Sequence, residues 1–189
     1  MRDIRAIATV VDGVRYRSQT EARWAVFLNA LGITFEYEAQ RLELSDGTTY
    51  LPDFWIPDFK AYFEVKGRSD AIVTEEATKA RRLAADREGL RVWLAIGPPD
   101  CRTANILPLD QWDHEEPIET ILETPENRYR FLADRRDDGV FWLQADFVGG
   151  GFKISYLVGG PGRITEHDRL PIESPTLKAA FKKAADARW

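Results

Sequence analysis

Short runs of alternating and clustered apolar residues organise the first hundred positions, and the pattern loosens after them. Residues 6–11 form a β-branched apolar run closed by Asp12-Gly13, which predicts a strand and a turn. Ser18-Gln19-Thr20-Glu21 reads as a capping box ahead of Ala22, Trp24, Ala25, Phe27, Leu28 and Leu31. Those residues recur at helical spacing, and Gly32 is placed to end the helix. Residues 34–38 and 41–44 predict two strands with a tight connection, followed by a turn at Ser45-Asp46-Gly47. A third strand is expected over 50–56 and a fourth over 61–66, with Pro57-Asp58 between them. Gly67-Arg68-Ser69-Asp70 is a loop. Residues 74–88 predict a helix with Ala77, Ala80, Leu83 and Ala84 on one face. Gly89 ends it, and 91–96 is an apolar run suited to a strand buried on both faces. The order is helix, antiparallel strands, helix, strand, which predicts an α/β sandwich around a mixed sheet.

Beyond Gly97-Pro98-Pro99 the expectations are coarser. Residues 118–133 have mixed helical character. Residues 140–147 and 152–158 suggest a hairpin through Gly149, Gly150 and Gly151. Ser174 can cap a final helix over 176–189, with Pro175 at its first position. The division drawn from this pattern is a core over 1–100 and an accessory region over 101–189.

Composition narrows the chemistry. The 189 residues are 44% hydrophobic and 30% charged, with six Trp, six Tyr and ten Phe, enough to fill a core. No apolar run is long enough to span a bilayer and no secretory h-region opens the chain, so a cytoplasmic location and no membrane partner are expected. A single cysteine, Cys101, excludes an internal disulfide framework and a thiolate-rich zinc site. His114 and His167 are too few for a histidine-rich site. A metal would have to be held by carboxylates, which favour Mg²⁺ or Mn²⁺. The net charge of −5 counts against a general phosphate binder, although the local field decides binding, not the sum.

The informative residues are Tyr50-Leu51-Pro52-Asp53-Phe54 and Phe63-Glu64-Val65-Lys66-Gly67. Strand side chains alternate between faces, so Glu64 and Lys66 share a face and Val65 takes the other. A hairpin between the two segments brings Asp53 beside Glu64. Two adjoining carboxylates repel unless a cation sits between them. A divalent metal held by Asp53, Glu64 and the Val65 main-chain carbonyl does this, with Lys66 placed to orient or deprotonate a water.

Pro52-Asp53, ten intervening residues, then Glu64-Val65-Lys66, with Glu21 on an upstream helix, resembles the PD-(D/E)xK nuclease superfamily. Tyr16-Arg17-Ser18-Gln19-Thr20-Glu21 and Tyr50-Leu51-Pro52-Asp53-Phe54 are similar to small phage and bacterial members. The resemblance covers roughly residues 14–97. It implies a restriction-endonuclease-like α-β-β-β-α-β core, here with a C-terminal α+β extension. It also implies a DNA-cutting hydrolase with Asp53, Glu64, Lys66 and Glu21 as catalytic residues and Glu21 as a further metal ligand. An endonuclease role in phage or mobile-element DNA processing follows.

Plainer readings stand beside these. Glu21 serves equally as the third residue of the capping box. Glu64 and Lys66 can be an ordinary cross-strand polar pair, and Asp53 a turn aspartate after proline. Lys79, Arg81, Arg82 and Arg87, laced with Glu75, Glu76 and Asp86, make a solvated helix face more readily than a phosphate contact. Tyr50, Phe54 and Trp55 suit core packing better than base stacking. A catalytically silent DNA-binding module, or an inhibitor or adaptor on the same fold, is the competing function, with a homodimer or protein partner engaged through the C-terminal region. RNA is the alternative substrate.

Overall fold

The computed structural model describes residues 7–67, 71–111, 116–123, 128–145, 155–159 and 171–189. His114, His167, Ser69, Asp70 and the Gly149–Gly151 run lie outside those residues. The class is α/β, with a mixed sheet and helices on both faces.

The chain opens with a hairpin, β1 (Thr9–Val11) and β2 (Val14–Tyr16), turned by Asp12 and Gly13, both at positive φ. Helix α1 (Gln19–Ala30) begins where the sequence signals it. Ser18 is its N-cap and accepts from the Glu21 N–H at 3.1 Å. The strands β3 (Glu36–Tyr37), β4 (Leu42–Glu43), β5 (Thr49–Tyr50), β6 (Phe54–Ile56) and β7 (Ala61–Lys66) follow. Helix α2 (Ala71–Asp86) then crosses over to β8 (Arg91–Ile96), which lies parallel to β7.

The predicted third strand over 50–56 is two pieces. Thr49–Tyr50 pairs with β4, whereas Phe54–Ile56 pairs with β7. Pro52 has no N–H to give to a ladder, and the Asp53 N–H is spent on the Glu64 carboxylate at 3.3 Å. The strand expected over 34–38 shrinks to Glu36–Tyr37, ending where Glu38 turns into the left-handed region at φ 47°.

The mixed helical character of 118–133 also resolves differently. Helix α3 covers Ile118–Glu123 only, and Tyr129–Asp134 is a strand, β10. Between β8 and β10 lies β9 (Ile106–Pro108). Next come β11 (Phe141–Ala145), β12 (Ser155–Gly159), β13 (Pro171–Ile172) and α4 (Pro175–Asp186). The main sheet runs β12-β11-β10-β9-β8-β7-β6-β3, with β13 pairing β10. From beyond residue 100, β9 therefore hydrogen-bonds directly onto β8, and β10, β11 and β12 extend the same sheet in turn.

Two cores flank this sheet. On one face Trp24, Phe27 and Leu28 of α1 meet Phe63, Phe131, Leu177 and Phe181. The Phe27 ring lies 5.1 Å from that of Phe131 and 4.6 Å from that of Phe181, so α1 and α4 are anchored over the same strands. On the other face Ala77, Ala80 and Leu83 of α2 cover Tyr50, Tyr62, Val92 and Leu94. Alternation along β7 sends Phe63 and Val65 to the first core and Tyr62, Glu64 and Lys66 to the second face.

Candidate active site

The β6–β7 register continues one step beyond its last ladder pair, Phe54 opposite Phe63, to set Asp53 across from Glu64. Both are buried, with 0% and 1% of their surface exposed. The Asp53 N–H points to Glu64 Oε2 at 3.3 Å, and Asp53 Oδ2 accepts the Val65 N–H at 2.7 Å. The pair sits at the carboxyl end of β7, beside the N-terminus of α1. That end is held shut by the Gly97 N–H on the Lys66 carbonyl at 2.6 Å and by Trp24 Nε1–H on the Gly97 carbonyl at 2.9 Å.

Each carboxylate has a cationic neighbour. Arg17 Nη2 donates to Asp53 Oδ1 at 2.5 Å, while its Nε lies 2.8 Å from Glu38. Lys66 Nζ lies 2.7 Å from Glu64 Oε1, close enough for an ion pair but not aligned as a directed hydrogen bond. Tyr50 donates its hydroxyl to Glu64 Oε2 at 2.8 Å in a fully buried contact. Glu76 of α2 stands 3.9 Å from the Lys66 ammonium, and is itself bound by Lys79 at 3.0 Å.

Glu21 takes part in the helix start, the plainer of the two roles considered for it. Its Oε1 accepts from Ser18 Oγ at 2.7 Å, and its Oε2 accepts from Tyr37 at 2.6 Å and from the Arg17 N–H at 3.1 Å. The carboxylate thus completes the helix start through the Arg17 N–H and not that of Ser18. It also lies close enough to act on Asp53 by charge. A ligand role for Glu21 requires one of those three donors to give way.

The electrostatics follow from burial. Burial, then the charges of Glu64 and Glu21, push the Asp53 carboxyl well above the usual carboxylate range, against the pull of Lys66 and Arg17. Burial raises Glu64 too, opposed by Lys66 and Tyr50 and aided by Glu76. Burial works against the Lys66 ammonium, but Glu64 and Asp53 outweigh it and hold the lysine charged. Arg17 follows the same logic: burial disfavours its charge and Asp53 more than restores it. Burial and then Glu64 drive the Tyr50 hydroxyl up, so it stays a donor.

Sequence reasoning singled out Asp53, Glu64, Lys66 and Glu21, and the fold gathers them. It missed Arg17, Tyr37, Tyr50 and Glu76. Arg17 and Tyr50 stood in the quoted segments but carried no signal of their partners, which are 36 and 14 residues away. Cys101 is exposed, and Lys79 bridges Glu75 and Glu76 as a solvated helix face does. Arg82 pairs with Asp46.

Among the described residues, no group of three or more His, Cys, Asp or Glu side chains is gathered so as to cage a metal by itself. A smaller set is what Mg²⁺ uses, since it keeps several waters and takes one or two carboxylates. The oxygens of Asp53 and Glu64, one of them buried without a directed hydrogen bond, fit such a hard cation. No described helix is long and apolar enough to cross a membrane. Compared with protein-family models, curated proteins and solved structures, the chain matches none.

Proposed function

We propose that this protein is a Mg²⁺- or Mn²⁺-dependent nuclease that hydrolyses DNA phosphodiester bonds, an endonuclease of phage or mobile-element DNA processing on a restriction-endonuclease-like core. The observation that carries the reading is the buried Asp53–Glu64 pair with Lys66 beside it. Packing gives no reason to bury two facing carboxylates, and both are held at a cost, since burial disfavours their charged forms. Negative charge brought together in this way is a common sign of a functional site.

Asp53 and Glu64, with the Val65 main-chain carbonyl, would hold the ion. When bound, it polarises a phosphate oxygen and lowers the pKa of a coordinated water. The chain's own groups do the rest. Lys66, kept charged by its neighbours, neutralises charge developing on the phosphate or orients the attacking water. Arg17 has about half its side chain exposed and can swing from Asp53 to a phosphate oxygen once another cation serves that carboxylate. Tyr50 fixes the rotamer of Glu64 through its hydroxyl.

The test is cleavage of plasmid and oligonucleotide DNA with Mg²⁺ or Mn²⁺ against a chelator control. Asp53→Asn and Lys66→Ala should each abolish cutting while the circular dichroism spectrum stays that of wild type. Undiminished cutting by Asp53→Asn rejects the site.

One observation favours a second reading, a silent DNA-binding or adaptor module. Arg17 and Lys66 already neutralise one carboxylate each, as two structural ion pairs would. Calorimetry that finds no Mn²⁺ binding, with DNA binding intact, selects it.

A further inference from the structure

The β6–β7 ladder pairs Trp55 with Tyr62 on the face toward α2, and its register extended one step past Phe54–Phe63 sets Asp53 opposite Glu64. Same-face pairs along a strand are about 7 Å apart. The acidic centre and an aromatic pair are therefore neighbours by construction. The Trp55 and Tyr62 rings lie 4.6 Å apart with an interplanar angle of 43°. Tyr62 is pinned, because its hydroxyl accepts from Gln40 Nε2 at 3.0 Å. Trp55 is only half-buried.

This pair lines a cleft of about 520 Å³ together with Glu36, Gln40, Lys60 and Arg87. That volume falls within the roughly 300–1,000 Å³ of ordinary ligand sites. Glu36 lies directly opposite Trp55 in the β3–β6 ladder. Lys60 and Arg87 are exposed at the rim. The Lys60 backbone is held in the left-handed region at φ 49°, its N–H on the Pro57 carbonyl and its carbonyl taking the Arg91 N–H. Its side chain is thus presented from a fixed point at the head of β7.

The chemistry of this set is compatible with a nucleotide. An indole offers a stacking face that any unpaired base can use. Carboxylates accept from exocyclic amino groups such as that of cytosine, and the two cations suit a flanking phosphate. A base inside a duplex has no free face to offer. We infer that the Trp55–Tyr62 cleft holds one unpaired nucleotide of a single strand, two residues along β6 and β7 from the buried Asp53 and Glu64. This rests on the reading of that pair as the cleavage centre, and it makes single-stranded or tailed DNA the preferred substrate.

The test is binding of octadeoxycytidylate to the full chain in chelator at low salt, read by fluorescence anisotropy of a labelled strand. Trp55→Ala should weaken binding at least about fivefold, and Trp189→Phe, an exposed tryptophan elsewhere, should not. Arg87→Glu and Lys60→Glu, both on the surface, should weaken binding and flatten its salt dependence. Equal binding by wild type, Trp55→Ala and Arg87→Glu overturns the inference, and so does absence of binding by wild type. If the strand binds through Trp55 but DNA is never cut, the subsite stands and the cleavage reading falls. If DNA is cut and Trp55→Ala binds and cuts like wild type, the subsite falls alone.

Discussion

Tyr50→Phe removes one oxygen from the centre of the molecule and tests its electrostatics directly. The Tyr50 hydroxyl donates to Glu64 Oε2 at 2.8 Å, and the two residues are 2% and 1% exposed. Water cannot replace the lost donor at such depth. A hydrogen bond to a charged group contributes about 1.5–3 kcal/mol. In a domain of this size each kcal/mol moves the melting temperature by about 2–4 °C. The expected loss at alkaline pH is therefore roughly 3–12 °C. The pH dependence carries the sharper information. The Tyr50 bond holds the Glu64 carboxyl down against the burial that raises it. Removing the bond lets the carboxyl rise further. The penalty is present in full above the folded pKa of Glu64, where the group is ionised, and shrinks as pH falls through it. Thermal melts of both proteins from about pH 5 to about pH 9 measure this. A melting temperature unchanged at the alkaline end, or a loss of constant size across the series, refutes the picture of a buried anionic Glu64.

Three further outcomes are expected. Because Asp53 is pushed up by burial and then by Glu64, the folded chain holds its proton more tightly than the unfolded chain does. Stability therefore falls as pH rises from the ordinary carboxylate range through the folded pKa, and Asp53→Asn should flatten that fall; urea midpoints that decline in parallel with wild type contradict it. Ser18→Ala removes the cap of α1 and a donor to Glu21, costing about 1 kcal/mol in chemical denaturation; a cost near zero means the cap is idle. Arg17→Met leaves Asp53 without its cation and should destabilise by on the order of 1 kcal/mol, since the guanidinium is half exposed. Mn²⁺ should restore that loss in thermal melts, and a loss that Mn²⁺ leaves untouched argues against a cation site at Asp53.

Much of the local structure was written in short stretches of sequence. The capping box at Ser18, the apolar runs of β7 and β8, and the Ser174-Pro175 start of α4 each use signals only a few residues long. Helix spacing and strand alternation act within a turn or a pleat, so such patterns need no knowledge of the rest of the chain. The face shared by Glu64 and Lys66 followed from alternation alone, and a hairpin between 50–56 and 61–66 was enough to bring Asp53 into contact with Glu64. The split at Pro52 and Asp53 was less legible, because it depends on the Asp53 N–H finding Glu64 and not a strand neighbour.

Partners distant along the chain were decided by tertiary structure. Phe131 read as part of a helical stretch, yet it lies in β10 against Trp24 and Phe27, because α1 and α4 cover that part of the sheet. The strands beyond residue 100 looked separate because their pattern is irregular, but they extend the sheet edge offered by β8. Arg17 on Asp53, Tyr50 on Glu64 and Glu76 near Lys66 depend on where α1, β5 and α2 settle over the sheet. Sequence by itself determined which residues could carry charge on one strand face. Only the folded chain decided which charges are buried, and burial sets their pKa values because a low-dielectric interior penalises any ion without a close partner.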